Sequence, residues 1–386
     1  MIPDAATLDI LDRLIAMPTI SADSNLALID YVEGLLHGAG FDIRRIPAPD
    51  GNKCGLVARI GGAGGGGVLL SAHSDVVPVE GQAWTRPPFE LTREDDKFFG
   101  RGTTDMKGFL ASMLSLAQRA GKTSLSSPLM LSISYDEEVG CQGIGKMLPD
   151  IQRLGWTPDL CIVGEPTSMK PATGHKGKAA LRATCRGIAG HSALAPRYVN
   201  ALHLAADFIA ALREIQSDYA ASDVQDSAYD IPYSTVHAGF MQGGTVLNIV
   251  PEHAVIEFEL RHLPRDDLQA FQDCLTRACA RITAPYHKRS ADIGIDIDVT
   301  NTYPGLEIAP DAAAVQRVAR LSGSNDLTKI AFGTEAGFFA GLGIPTVVCG
   351  PGSMEGQGHK ADEFVSSDQL AGCDAMMDRL LAQLRS

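Results

Sequence analysis

What the chain lacks narrows its class before any motif is read. Its eight cysteines, at 54, 141, 161, 185, 274, 279, 349 and 373, include no C-x-x-C pair. Several stand in apolar, strand-like contexts such as LCIVGEP and TVVCGPG, which points to buried reduced thiols of a cytoplasmic protein. A disulfide framework or a thiolate metal site would need another spacing. No stretch has the roughly 20 consecutive apolar residues that span a bilayer. The opening segment, MIPDAATLDILDRLIAMPTI, sets Asp4, Asp9 and Asp12 within an apolar periodicity and has no basic start. It reads as an amphipathic helix over 4–17, not as a signal peptide. Basic charge is in deficit, with 33 Lys and Arg against 46 Asp and Glu and a net charge of −13. That balance argues against nucleic acid and anionic membranes as partners, and leaves small substrates open. The absence of a G-x-S-x-G elbow removes one common serine-hydrolase arrangement.

What is present divides into two styles. At 386 residues two domains are expected, and 45% hydrophobic with 20% charged residues suits a soluble protein with a large core. Up to about residue 177, helical patterns (4–17, 24–39, 107–120, 142–153) alternate with strand-like runs (41–46, 55–60, 67–72, 129–135, 159–163). Such alternation predicts an α/β domain with a mostly parallel sheet and helices on both faces. From about 178 the pattern changes to period two, in AALRATCRG, AVIEFELRHL and IGIDIDVT, around amphipathic helices at NALHLAADFIAALREI and 266–282. This is the pattern of half-buried antiparallel strands. The α/β style returns after about 302 and closes on a helix over 367–384. The expected organisation is therefore one domain from 1–177 and 302–386, interrupted by a smaller α+β domain over 178–301. The run GGAGGGG (61–67) precedes a strand, not a helix, so it lacks the context of a phosphate-binding loop and reads as a turn.

The stretch LMLSISYDEEVG raises the chemical question. Three acids, Asp136, Glu137 and Glu138, crowd the mouth of a buried strand, where like charges repel. Strand ends are where α/β proteins keep their chemistry. The same ends supply His73 and Asp75 from SAHSDVVP, Asp105 from GRGTTDMKG, Glu165 from GEPT and His359 from GQGHKADEF. Taken singly, each has an ordinary reading. A histidine can be structural, a Glu pair can be a solvated helix start, Asp105 can cap the next helix, and Glu165 before Pro166 can sit in a turn. Taken together, imidazoles and carboxylates suit a borderline divalent metal such as zinc, cobalt or manganese. Two close metals would neutralise the crowded acids.

These motifs together resemble the co-catalytic zinc family of deacylases and exopeptidases, through nearly the whole chain. The resemblance implies a catalytic α/β domain and an inserted domain used as a lid and for homodimerisation. It implies two divalent ions, zinc first: one on His73, Asp105 and Glu165, the other on Asp105, Glu138 and His359, with Asp105 bridging. Glu137 then matches the general base and Asp75 the acid that orients His73. In the insert, GIAGHSALAP matches a motif whose His191 reaches the partner's site and donates to the oxyanion. Asn248 in GGTVLNIVP and Arg261 in FELRHLP match residues that bind the substrate carboxylate. The implied activity is hydrolysis of an N-acyl amino acid. GHKG (174–177), HSALAPRYVNAL (191–202) and FGTEAGFF (332–339) lean toward a branch acting on an acetylated substrate with a cationic side chain, which Glu335 would meet. The sequence departs from the family pattern around His359, where GPGSMEGQGHKADEF is longer and richer in glycine.

Overall fold

A computed structural model describes residues 2–62 and 65–385; the middle of the GGAGGGG run lies outside the described residues. The chain forms two compact units, one from the residues up to His175 together with those from Leu306 onward, the other from Lys176 to Gly305.

The first unit is built on a mixed sheet whose centre is parallel. The strands Leu129–Ser134, Val68–His73, Leu160–Pro166 and Thr346–Gly350 lie side by side in that order, each parallel to the next. Every residue of these four strands is buried. That explains their near-continuous apolar character, because helices cover both faces. Antiparallel strands flank the centre, with Cys54–Ile60 and Asp42–Pro47 on one side and Ala172–His175 and Leu306–Glu307 on the other. The helix Lys107–Ala120 is almost wholly buried. It packs against the central strands on one side and against the helices Ala5–Ile15, Leu26–Gly38 and Ser367–Arg385 on the other. Its closest approach to the sheet depends on Gly164, where a Cβ would lie 2.0 Å from the Phe109 ring. The helix Gln142–Arg153 starts equally close to the sheet, since a Cβ on Gly143 would lie 1.7 Å from the Tyr135 carbonyl. These two glycines let helices sit directly against the strand ends that carry the acids.

The second unit is a four-stranded antiparallel sheet in the order Thr235–Gly243, His253–His262, Gly177–Arg186, Gly294–Tyr303. The helices Ala201–Ala221 and Leu268–Thr283 pack on one face. Leu181, Ala183, Ile256 and Phe258 face them with Phe208, Leu212 and Leu275, and make a separate core. The alternate residues of the same strands, such as Lys178, Arg182, Glu257 and Glu259, are mostly polar, as a one-sided sheet requires.

Candidate metal centre

Most of the acids and imidazoles read from the first unit sit where a central strand ends. His73 closes Val68–His73, Glu137 and Glu138 follow Leu129–Ser134, Glu165 stands near the end of Leu160–Pro166, and His359 lies in the loop after Thr346–Gly350. Four neighbouring parallel strands thus deliver their ends to one place. Asp105 comes from the turn before helix Lys107–Ala120. It does not cap that helix: the capping position belongs to Met106, with no side-chain hydrogen bond.

The geometry is compact. His73 Nε2 lies 3.0 Å from Asp105 Oδ1 and 3.8 Å from Glu165 Oε1. His359 Nε2 lies 3.1 Å from Asp105 Oδ2 and 2.9 Å from Glu138 Oε2. Asp105 therefore faces one imidazole with each oxygen, which is the disposition of a bridging carboxylate. Glu137 also falls within the cluster: ligand atoms of His73, Glu137 and Glu165 lie within 4.8 Å of one another, as do those of His73, Asp105 and Glu138.

Asp75 does more here than its spacing suggests. His73 Nδ1 is 2.9 Å from the Asp75 main-chain carbonyl and 3.5 Å from its carboxylate. The carboxylate accepts the amides of Glu137 at 3.1 Å and Glu138 at 3.2 Å, and the Ser21 hydroxyl at 2.7 Å. It holds the Glu137–Glu138 turn as well as the imidazole. Asp136, the third acid, points elsewhere and pairs with Lys53. The Cys141 thiol donates to Glu137 Oε1 at 3.1 Å, a contact that ligand spacing does not reveal.

Burial sets the electrostatics. It pushes the Glu137 carboxyl up to about 8, against the pull of His73 and with Glu138 adding to the rise. It pushes Glu138 up to about 7, with Asp105 adding to the rise, and Glu165 well above the usual carboxylate range. For the imidazoles burial acts downward and is outweighed. Asp105 and Asp75 raise His73, and Asp105 and Glu138 raise His359 to about 10. Burial acts upward on Asp105 and is likewise outweighed, by His359 and His73, so its carboxyl is held low.

The donor set is thus short of positive charge. Glu165 Oε1 is buried with no hydrogen-bond partner, and the carboxylates outnumber the imidazoles. A divalent cation repairs both conditions, and a mixed nitrogen and oxygen set fits one.

The remaining sequence-derived residues are divided between the two units. Glu335 belongs to the first unit and is only 1% exposed. Ser71 donates to its Oε2 at 3.3 Å, its Oε1 has no hydrogen-bond partner, and burial pushes its carboxyl up to about 8. His191, Asn248 and Arg261 belong to the second unit. The short pairing of Gly190–His191 with Ile249–Val250 sets His191 beside Asn248, whose carbonyl accepts the Ser192 amide at 3.0 Å. His191 Nδ1 accepts the Ala193 amide at 3.1 Å. Arg261 donates from Nε to Glu259 at 3.0 Å and from Nη1 to the Tyr303 hydroxyl at 2.5 Å.

Carboxylates and imidazoles gathered at the strand ends of this α/β unit define a metal-dependent hydrolase. The chain belongs to the peptidase family M20/M25/M40, whose model matches residues 69–383. It is 33% identical over 383 residues to the acetylornithine deacetylase of Pasteurella multocida, covering 97% of each chain. Among solved structures it resembles the aminopeptidase PepT of Bacillus cereus, with a TM-score of 0.77, 19% identity and 100% of both chains covered. It also resembles the YXEP protein of Bacillus subtilis, described as a dinuclear metal-binding peptidase, with a TM-score of 0.66 and 17% identity. That match covers 98% of this chain and 97% of the other. At such identities these two likenesses are of fold.

Proposed function

We propose that this protein hydrolyses the amide bond of an N-acyl amino acid, converting N-acetylornithine to ornithine and acetate. The observation that carries the chemistry is the meeting of His73, Asp105, Glu138, Glu165 and His359 around Glu137. The substrate follows from the 33% identity to an acetylornithine deacetylase over almost the whole chain.

In this reading His73, Asp105 and Glu165 hold one divalent ion and Asp105, Glu138 and His359 the other, zinc being preferred over cobalt or manganese. Bound there, the ions would polarise the acyl carbonyl and lower the pKa of the attacking water. Glu137 takes the proton of that water and returns one to the departing amine. Its place beside the ligand atoms of His73 and Glu165 suits it to both steps. Asp75 keeps Glu137 in place through its amide, and the Cys141 thiol limits the rotation of its carboxylate.

The unit Lys176–Gly305 is proposed as the lid and homodimer contact of a cytoplasmic enzyme, with His191 donating to the oxyanion in the partner's site. Mixing inactive His191→Ala and Glu137→Gln proteins should restore part of the activity; no recovery would remove His191 from that role. Asn248 and Arg261 are proposed to receive the substrate carboxylate, Arg261 through its planar fork. Glu335 is proposed to set the preference for a cationic side chain. Its unpartnered oxygen and raised pKa are both features that a nearby ammonium group would reverse. In Glu335→Gln the ratio of kcat/KM for acetylornithine over acetylnorleucine should collapse toward one. An unchanged ratio would dismiss the assignment.

The deciding experiment is a panel of N-acetyl- and N-succinyl-amino acids assayed after reconstitution with zinc, cobalt or manganese. Highest kcat/KM on acetylornithine is expected. Preference for N-succinyl-diaminopimelate or a dipeptide would move the protein to another branch. Failure to take up any metal would favour a non-catalytic binding role.

A further inference from the structure

Two charged side chains outside the ligand set are fully buried beside it. Arg101 and Glu363 are both 0% exposed and form an ion pair. A buried pair of this kind is not in itself a stabilising feature, since removing two charges from water costs about as much as their attraction returns. Its partners suggest a more specific use.

Glu363 Oε1 accepts three main-chain amides, from Gly102 at 3.1 Å, Thr104 at 2.9 Å and Asp105 at 3.1 Å. Amides of one turn aimed at a single point make a concavity suited to an anion, and here the chain fills it with its own carboxylate. The Glu363 carbonyl also accepts the Gly100 amide at 2.9 Å. Segment 100–105 is thus wrapped around Glu363, and it ends on the carboxylate that faces both imidazoles.

Arg101 carries the connection onward. Its Nη1 meets Glu363 Oε2, and its Nη2 donates to Gln82 Oε1 at 2.6 Å and to the Pro78 carbonyl at 3.3 Å. Gln82 Nε2 donates to the His359 carbonyl at 3.4 Å. Glu363 itself stands four residues after His359 in the same loop. The route from Asp105 through Glu363, Arg101 and Gln82 therefore returns to His359 and closes on itself.

We propose that Glu363 and Arg101 are positioning residues that set Asp105 and His359 at the spacing one shared divalent ion requires. The inference rests on the metal-dependent reading of the site. The ion held through Asp105, Glu138 and His359 has two of its three ligands on this network. The ion held through His73, Asp105 and Glu165 has one, so the two sites should respond unequally. A role confined to general stability would weaken both alike.

The test is calorimetric titration of metal-free, full-length protein with zinc, with thermal melting in parallel. The His359 site is identified by its loss in His359→Ala. Glu363→Gln should lower the affinity of the His359 site about 10- to 100-fold and leave the other site much nearer wild type. Arg101→Lys, which keeps a cation but cannot reach Glu363, Gln82 and Pro78 together, should weaken the same site and serves where Glu363→Gln does not fold. Wild-type affinities at both sites, or an equal loss at both, would overturn the proposal while leaving the metal reading intact. A wild-type protein that binds no zinc would overturn both.

Discussion

The two units carry the same charged residue types to opposite ends. In the inserted unit, Arg182 and Glu257 face each other across neighbouring strands at 2.6 Å, with side chains 52% and 49% exposed. Lys178 and Glu259 pair at 3.0 Å on the same sheet. The Arg182–Glu257 groups remain hydrated, so that pair contributes little, whereas the more covered Glu259 also accepts from Arg261. In the other unit the central strands are covered on both faces, and their own charged residues stand near the strand ends. In this unit Asp75 and Glu363 each meet several partners, because a buried polar group left unsatisfied costs far more than a surface one. Where hydration is lost, a charge has a designated task.

Substitutions can break or sharpen this contrast, beginning with the strongest. Glu137→Gln should keep its metal content but lose about 10²- to 10⁴-fold in kcat. Near-normal turnover with normal metal would remove Glu137 as the base.

A buried acid away from the site should give a smaller, pH-dependent effect. Asp374 accepts from the Asp4 amide and the hydroxyls of Thr7 and Ser112, each at 2.8 Å, yet burial raises its pKa above the ordinary carboxylate value. An acid raised in the folded state contributes stability that is complete below its unfolded pKa, about 3.9. That contribution is lost as pH rises through the folded value. The Tm advantage of wild type over Asp374→Asn should therefore narrow between pH 4 and pH 7. A widening gap would mean that the hydrogen bonds outweigh burial.

The smallest effect belongs to the exposed pair. Arg182→Ala should cost no more than about 1 kcal/mol by denaturant melting, and less at high salt. A salt-independent loss of several kcal/mol would mean that the open sheet face is not hydrated as described.

Much of the parallel-sheet unit is legible along the chain because its elements are long and strongly patterned. The helix read over 107–120 is found at Lys107–Ala120, and the strand read over 129–135 at Leu129–Ser134. Short elements escape such reading. Thr92–Glu94, Lys97–Phe99 and Phe364–Ser366 have three residues each. They form a small sheet whose cohesion comes from cross-chain contacts, such as Lys97 over the Phe364 ring. The helix Ala313–Ser322 is not among the elements read from the sequence, although Ala314, Val315, Val318, Ala319 and Leu321 recur at helical spacing, with Gln316 and Arg317 on the other side. Among the proposed site residues, a search of strand ends and turns for ligand-type side chains finds His73, Asp105 and Glu165. It passes over Arg101 and Glu363, because nothing in GRGTTDMKG or KADEF says that one side chain will collect three amides of a segment about 260 positions earlier.

Sequence alone determined the two structural styles, the chemical character of the ligands and the family, since periodicity and short motifs are local properties of the chain. Which acid bridges two imidazoles, which faces Lys53 and which holds its neighbours' amides was decided only in three dimensions. Those distinctions depend on burial and on partners brought from distant positions, and loss of water is what gives each carboxylate its separate role.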